Sequence, residues 1–114
     1  MNQIETPKRN RSAAAPSNVI SPHDLACLKE LERKVLWLSS WIIHNANHLR
    51  SSRDGVKVGG HQSSCASAAT LLTALYYGVL RPDDRVAVKP HASPVFHAIQ
   101  YLLGNQSLDK LKGF

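Results

Sequence analysis

The chain has 114 residues, of which 43% are hydrophobic and 19% are charged. This balance indicates a globular body and excludes a chain that is disordered throughout. The net charge of +6 comes partly from Lys8, Arg9 and Arg11 near the start, so it does not by itself indicate a nucleic-acid partner. The two cysteines are far apart, in no metal-binding or redox spacing, which favours a reducing compartment. We find no apolar signal segment or bilayer-spanning run, and expect a cytoplasmic protein that binds neither membrane nor nucleic acid.

A change of pattern at Ser21 divides the chain into two parts. Residues 1–20 are small, polar and basic without a periodic apolar face, and we predict that they form a disordered leader. The run from Ser21 to Asp24 has the composition of a capping box, with proline at the first helical position. It predicts a long helix that extends to about residue 50. The apolar face of this helix is expected to comprise Leu25, Leu28, Leu31, Val35, Leu38 and Ile42, with Trp37 and Trp41 as further core residues.

The second half of the chain alternates short helical and extended patterns. A helix is predicted from Ser63, a strand over Arg85–Lys89, a third helix capped by Ser93, and a fourth that begins after Ser107. One strand cannot form a sheet, so further strands would have to come from outside this chain. We therefore predict the N-terminal portion of a doubly wound α/β fold, mostly helical with one clear strand.

Two histidines stand just before apolar helices, in Val58-Gly59-Gly60-His61-Gln62-Ser63-Ser64 and in Lys89-Pro90-His91-Ala92-Ser93-Pro94. The unpaired N–H groups of a helix N-terminus favour phosphate, and an imidazole adds one directed donor. The pattern therefore predicts an anion site beside these two histidines.

Both motifs resemble a known family. The run Gly-Gly-His-Gln-Ser-Ser-Cys-Ala-Ser-Ala-Ala-Thr-Leu from Gly59 to Leu71 resembles the Gly-Gly-His segment of the homodimeric pyruvate dehydrogenase component. More distantly, it is similar to the Gly-His-Pro segment of transketolases. The run Pro-His-Ala-Ser-Pro from Pro90 to Pro94 resembles that component's Gly-His-x-Ser-Pro segment, with Pro90 where the family usually has glycine. The resemblance covers about residues 30–114.

This resemblance to the thiamine-diphosphate-dependent, transketolase-like family implies a partial cofactor-binding domain over residues 21–114. It implies that His91 and Ser93 bind the diphosphate of thiamine diphosphate, that His61 is catalytic, and that the intact enzyme is a homodimer using Mg²⁺. The implied substrate is a 2-oxo acid such as pyruvate, or a ketose or other sugar phosphate, and the Ser93-Pro94 pair favours pyruvate. The family's metal-binding Gly-Asp-Gly motif and its activating glutamate have no match in this sequence, so we expect no metal ligands here and an inactive fragment.

Simpler interpretations remain open. The alternative function is that of a truncated, non-catalytic helical protein that binds or regulates a partner. Each histidine could be structural, and this is our interpretation of His97. His44 and His48 are spaced as half of a metal site but have no third ligand, and Cys65 is interpreted as a small packing residue rather than as a thiolate paired with His61.

Overall fold

The computed structural model describes residues 19–52 and 54–114, and most of the predicted leader, residues 1–18, lies outside this part of the chain. The described residues form four helices: α1 over Pro22–His44, α2 over Gln62–Ala74, α3 over Ser93–Leu102 and α4 over Leu108–Lys112. Three short turns extend or precede them: π-helical turns at Asn45–Leu49 and Leu75–Val79 follow α1 and α2, and a 3₁₀ turn at Pro90–Ala92 precedes α3. None of the helices in this part of the chain is long and apolar enough to cross a membrane.

Two helix starts lie where the sequence predicts them. Ser21 caps α1, because its hydroxyl accepts a hydrogen bond from the backbone N–H of Asp24 at 3.0 Å and donates one to the Asp24 carboxylate at 2.7 Å. The hydroxyl of Ser107 caps α4 in the same way, accepting from the N–H of Lys110 at 3.3 Å. Such caps satisfy N–H groups that the first turn leaves without an intrahelical partner.

The start of α3 differs from the prediction by one residue. The chain is already turned through Pro90–Ala92, so Ser93 becomes the first helical residue and Ala92 occupies the capping position. Alanine has no side chain that can accept a hydrogen bond, and the predicted Ser93 cap is therefore wrong.

The core lies where α1, α2 and α3 pack against one another, with α4 closing one end. It is built from ten buried apolar residues: Val35, Ile42, Ile43, Cys65, Ala69, Leu72, Val95, Ala98, Ile99 and Leu111. The helical spacing of Val35 and Ile42 predicts their burial correctly. The prediction is wrong for Leu25 and Trp37, which are 45% and 64% exposed among the described residues.

The predicted α/β fold with a clear strand at Arg85–Lys89 is wrong. Residues 19–52 and 54–114 contain no strand and no sheet, and this segment is a connection that leads to the 3₁₀ turn. Val88 is half-buried and packs against the helical core. β-branched residues favour extended backbone, but a strand also needs a neighbouring segment that pairs with its main chain. The segment lies against helix side chains instead, and the described portion is a small helical bundle.

Candidate functional site

A glycine turn brings the first histidine motif against the bundle. Gly60 has φ +110°, a conformation that residues with a side chain rarely adopt. A Cβ atom at this position would lie 3.1 Å from Cγ of Pro94 and 3.5 Å from Cγ1 of Ile43. Gly59 has no such restriction, since a Cβ there would meet nothing within 4 Å. Of these two glycines, Gly60 is therefore the one that has both a positive φ and close neighbours.

The two histidine motifs meet. The rings of His61 and His91 stack with their centroids 4.7 Å apart and their planes 6° from parallel. Their backbones are also joined, because the N–H of His61 donates to the carbonyl of His91 at 3.1 Å. His61 is the N-cap residue of α2, in extended backbone with φ −121° and ψ 125°, while His91 lies in the 3₁₀ turn two residues before α3. Two segments thirty residues apart thus form one pair of imidazoles.

The pair lies at two helix N-termini that no side chain caps. Neither His61 nor Ala92 makes a side-chain capping hydrogen bond, and the first turns of α2 and α3 contain no acidic residue. Both rings are exposed, and Ser93 is half-buried in the first turn of α3. The backbone N–H groups in the first turn of α2 and the positive ends of two helix dipoles favour an anion, and ring N–H groups can add directed hydrogen bonds.

Cys65 lies beneath the pair and acts as a packing residue. It is fully buried, and its Sγ lies 3.7 Å from the carbonyl oxygen of His91, to which the thiol donates a weak hydrogen bond. Burial raises the pKa of the Cys65 thiol, an effect that a hydrogen bond from the backbone of Val95 partly opposes. A thiol that is harder to ionise is a poor nucleophile, which supports the packing interpretation made from the sequence.

The other histidines lie apart from this pair. His44 and His48 are exposed, with ring centroids 5.0 Å apart. Nowhere in the described ranges do three His, Cys, Asp or Glu side chains come together as a group that could hold a metal ion. Nδ1 of His97 hydrogen bonds to the side-chain amide of Gln106, and the ring packs edge-on between Phe96 and Phe114. This environment agrees with the structural role assigned to His97.

Asn47 is a residue of the site that the sequence analysis misses. Its side-chain Oδ1 accepts a hydrogen bond from the N–H of Val58 at 2.7 Å, and its Nδ2 donates to the carbonyls of Val58 at 3.4 Å and Ile43 at 3.1 Å. Val58 opens the segment that leads to His61. The sequence offers only a weak signal, an asparagine near the end of a helical pattern, where that residue type is common for many reasons.

The chain is similar to three curated pyruvate dehydrogenase E1 components. Identity is 34% over 96 residues with that of Mycolicibacterium smegmatis and 32% over 96 residues with that of Mycobacterium tuberculosis, each match covering 75% of this chain. It is 31% over 99 residues with that of Corynebacterium glutamicum, covering 82% of this chain. The matched region spans 10% of the length of each relative. No family model and no solved structure matches the chain. The resemblance to pyruvate dehydrogenase inferred from the two motifs is confirmed.

Proposed function

We propose that this chain is part of a thiamine-diphosphate-dependent enzyme of the pyruvate dehydrogenase type, acting on a 2-oxo acid, and that residues 21–114 form part of its cofactor-binding domain. The observation that carries the proposal is the stacked His61–His91 pair at two uncapped helix N-termini. The similarity to pyruvate dehydrogenase E1 components supports the same reaction class. A transketolase-type reaction on a sugar phosphate has no comparable support.

The donors at the pair fit a diphosphate. His91 would donate from its ring N–H and Ser93 from its hydroxyl. The backbone in the first turn of α3 adds no donor, because the N–H of Ser93 donates to the carbonyl of Pro90, Pro94 has no N–H, and the N–H of Val95 bonds to Cys65. The first turns of α2 and α3 contain no carboxylate that would repel the anion. A magnesium ion does not fit the described residues in the same way, since they contain no three-residue ligand group. The Mg²⁺ ligands of the intact enzyme would therefore come from outside them.

His61 is proposed as the group that moves protons. Because its ring is in contact with that of His91, a ligand held by His91 would lie within reach of His61. Thiamine diphosphate, when bound, supplies the carbon nucleophile that a 2-oxo acid needs for decarboxylation. His61 would donate or accept a proton at an oxygen of the substrate.

Two further features belong to the proposal. The chain alone is proposed to be inactive, since the described residues contain no group of three metal ligands and the sequence has no match to the family's activating glutamate. The intact enzyme is proposed to be a homodimer, as the family resemblance implies. The competing candidate is a non-catalytic helical protein that binds or regulates a partner. The all-helical architecture of the described residues and the exposed Trp37 favour that candidate.

The experiment is a calorimetric titration of the chain with inorganic diphosphate and with thiamine diphosphate. A charge-assisted hydrogen bond contributes roughly 1.5 to 3 kcal/mol, so His91→Ala should weaken binding about ten- to a hundredfold. His61→Ala should leave affinity nearly unchanged, and His44→Ala, which alters an exposed histidine away from the pair, serves as the control. A chain that binds neither ligand, or a His91→Ala variant that binds as the wild type does, would support the non-catalytic candidate.

A further inference from the structure

We propose that Asn47 is a positioning residue that holds His61 against His91. Its side chain makes hydrogen bonds with both main-chain groups of Val58, and the accepted bond of 2.7 Å is the shorter of the two. The third bond, to the carbonyl of Ile43, ties the same amide to the end of α1. An amide that bonds in this way pairs with the main chain of Val58 much as a neighbouring strand would.

The contacts between Val58 and His61 transmit this anchoring to the ring pair. Only Gly59 and Gly60 separate the two residues, and a Cβ atom at Gly60 would lie 3.1 Å from Cγ of Pro94 and 3.5 Å from Cγ1 of Ile43. At the far end of the segment the N–H of His61 bonds to the carbonyl of His91. The segment is therefore held at both ends, and loss of the Asn47 hydrogen bonds would release its first end, Val58, from the turn that follows α1.

Asn47 lies in the π-helical turn at Asn45–Leu49. A turn wider than that of an α-helix shifts the directions of its side chains, and such turns occur frequently at functional sites. The two asparagines of this turn, Asn45 and Asn47, bond to different parts of the chain. Asn45 is buried and donates to the carbonyl of Lys112 at 3.1 Å, which fastens α4, whereas Asn47 fastens the segment that leads to His61.

The inference deepens the proposed function, because the pair that Asn47 positions is the proposed diphosphate site, but its evidence is the geometry of the segment. The test is therefore a spectroscopic measurement on the full 114-residue chain, made without ligand. In Asn47→Ala we expect the nuclear Overhauser effect between the His61 and His91 ring protons to disappear. Exchange of the Val58 amide hydrogen should rise about three- to tenfold, since that N–H loses its acceptor.

Asn45→Ala is the matched control on the same turn. It should preserve the contact between the two rings and accelerate amide exchange in α4 instead. Asn47→Asp is the rescue variant, because it keeps an oxygen that can accept from the N–H of Val58. It should restore both the ring contact and the protection of the Val58 amide from exchange. If Asn47→Ala fails to fold, the same two measurements on Asn47→Asp test the positioning role.

Three results would overturn the inference: a ring contact that persists in Asn47→Ala, a contact that Asn45→Ala abolishes equally, or an aspartate variant with neither ring contact nor Val58 protection. A diphosphate titration of the same variants separates this inference from the proposed function. If Asn47→Ala loses the ring contact while even the wild type binds no diphosphate, the positioning role stands and the proposed function fails. If the wild type binds diphosphate and the ring contact survives in Asn47→Ala, the proposed function stands and the positioning role fails.

Discussion

Replacement of Gly60 by alanine tests whether the turn before His61 depends on its backbone conformation. At φ +110° an alanine would sit outside the regions that L-residues populate, a strain of about 1 to 3 kcal/mol. Its Cβ would also come within 3.1 Å of Pro94 Cγ, so a proline ring that belongs to the buried start of α3 would have to shift by a few tenths of an ångström. Lower entropy of the unfolded chain offsets about 0.4 to 1 kcal/mol of this.

The expected net effect of Gly60→Ala is a loss of about 1 to 3 kcal/mol in the free energy of unfolding. Urea denaturation followed by circular dichroism measures this loss, and nuclear Overhauser effects between the His61 and His91 rings report whether the site is displaced. Gly59→Ala is the matched control, since Gly59 has neither positive φ nor a neighbour within 4 Å of its Cβ position, and it should change stability by less than about 1 kcal/mol. Equal stability of the two variants would refute the reasoning.

Three further predictions concern the α1 cap, the core and the buried thiol. Ser21→Ala should lower the free energy of unfolding by about 1 kcal/mol through loss of the α1 cap, as measured by urea denaturation. In the same assay, Ile99→Ala should cost about 2 to 5 kcal/mol because Ile99 is fully buried, whereas Leu103→Ala, at a residue that is 44% exposed, should cost less than about 1 kcal/mol. Burial raises the pKa of Cys65 above its ordinary value of 9.0, so the folded state holds the thiol proton more tightly. That contribution to stability is complete below pH 9.0 and declines as the pH rises through the folded pKa. Cys65→Ala should remove this decline, and iodoacetamide at neutral pH should modify exposed Cys27 but not Cys65 in the wild type.

Helix boundaries could be predicted because they depend on local chemistry. A capping serine at Ser21 and another at Ser107 satisfy N–H groups only a few residues away, so the relevant interactions are visible in a short window of sequence. The start of α3 could not be predicted to the residue. The 3₁₀ turn at Pro90–Ala92 moves Ser93 into the helix, and nothing in the composition distinguishes that geometry from a serine cap.

The strand prediction failed for a different physical reason. The β-branched residues within Arg85–Lys89 indicate only that extended backbone suits this segment. Whether such a segment becomes a strand depends on pairing with a neighbouring main chain. The described residues offer Val88 a helical surface, not a strand. The exposure of Trp37 has the same origin, because the periodicity of α1 predicts an apolar face but not the element that covers it.

The stacked histidine pair depends on the small residues that follow His61. Small side chains at the start of α2 allow another backbone to approach the helix closely. The structure identifies that backbone: Cys65 is fully buried with its Sγ near the carbonyl of His91, and Ala69 and Ala98 are buried in the same cluster. Larger side chains at these positions would hold α2 and α3 further apart, and the bond from the N–H of His61 to the carbonyl of His91 would then be too long to form. Each motif by itself specifies a histidine before a helix, and it is the close packing of the two helices that brings both rings to the same place.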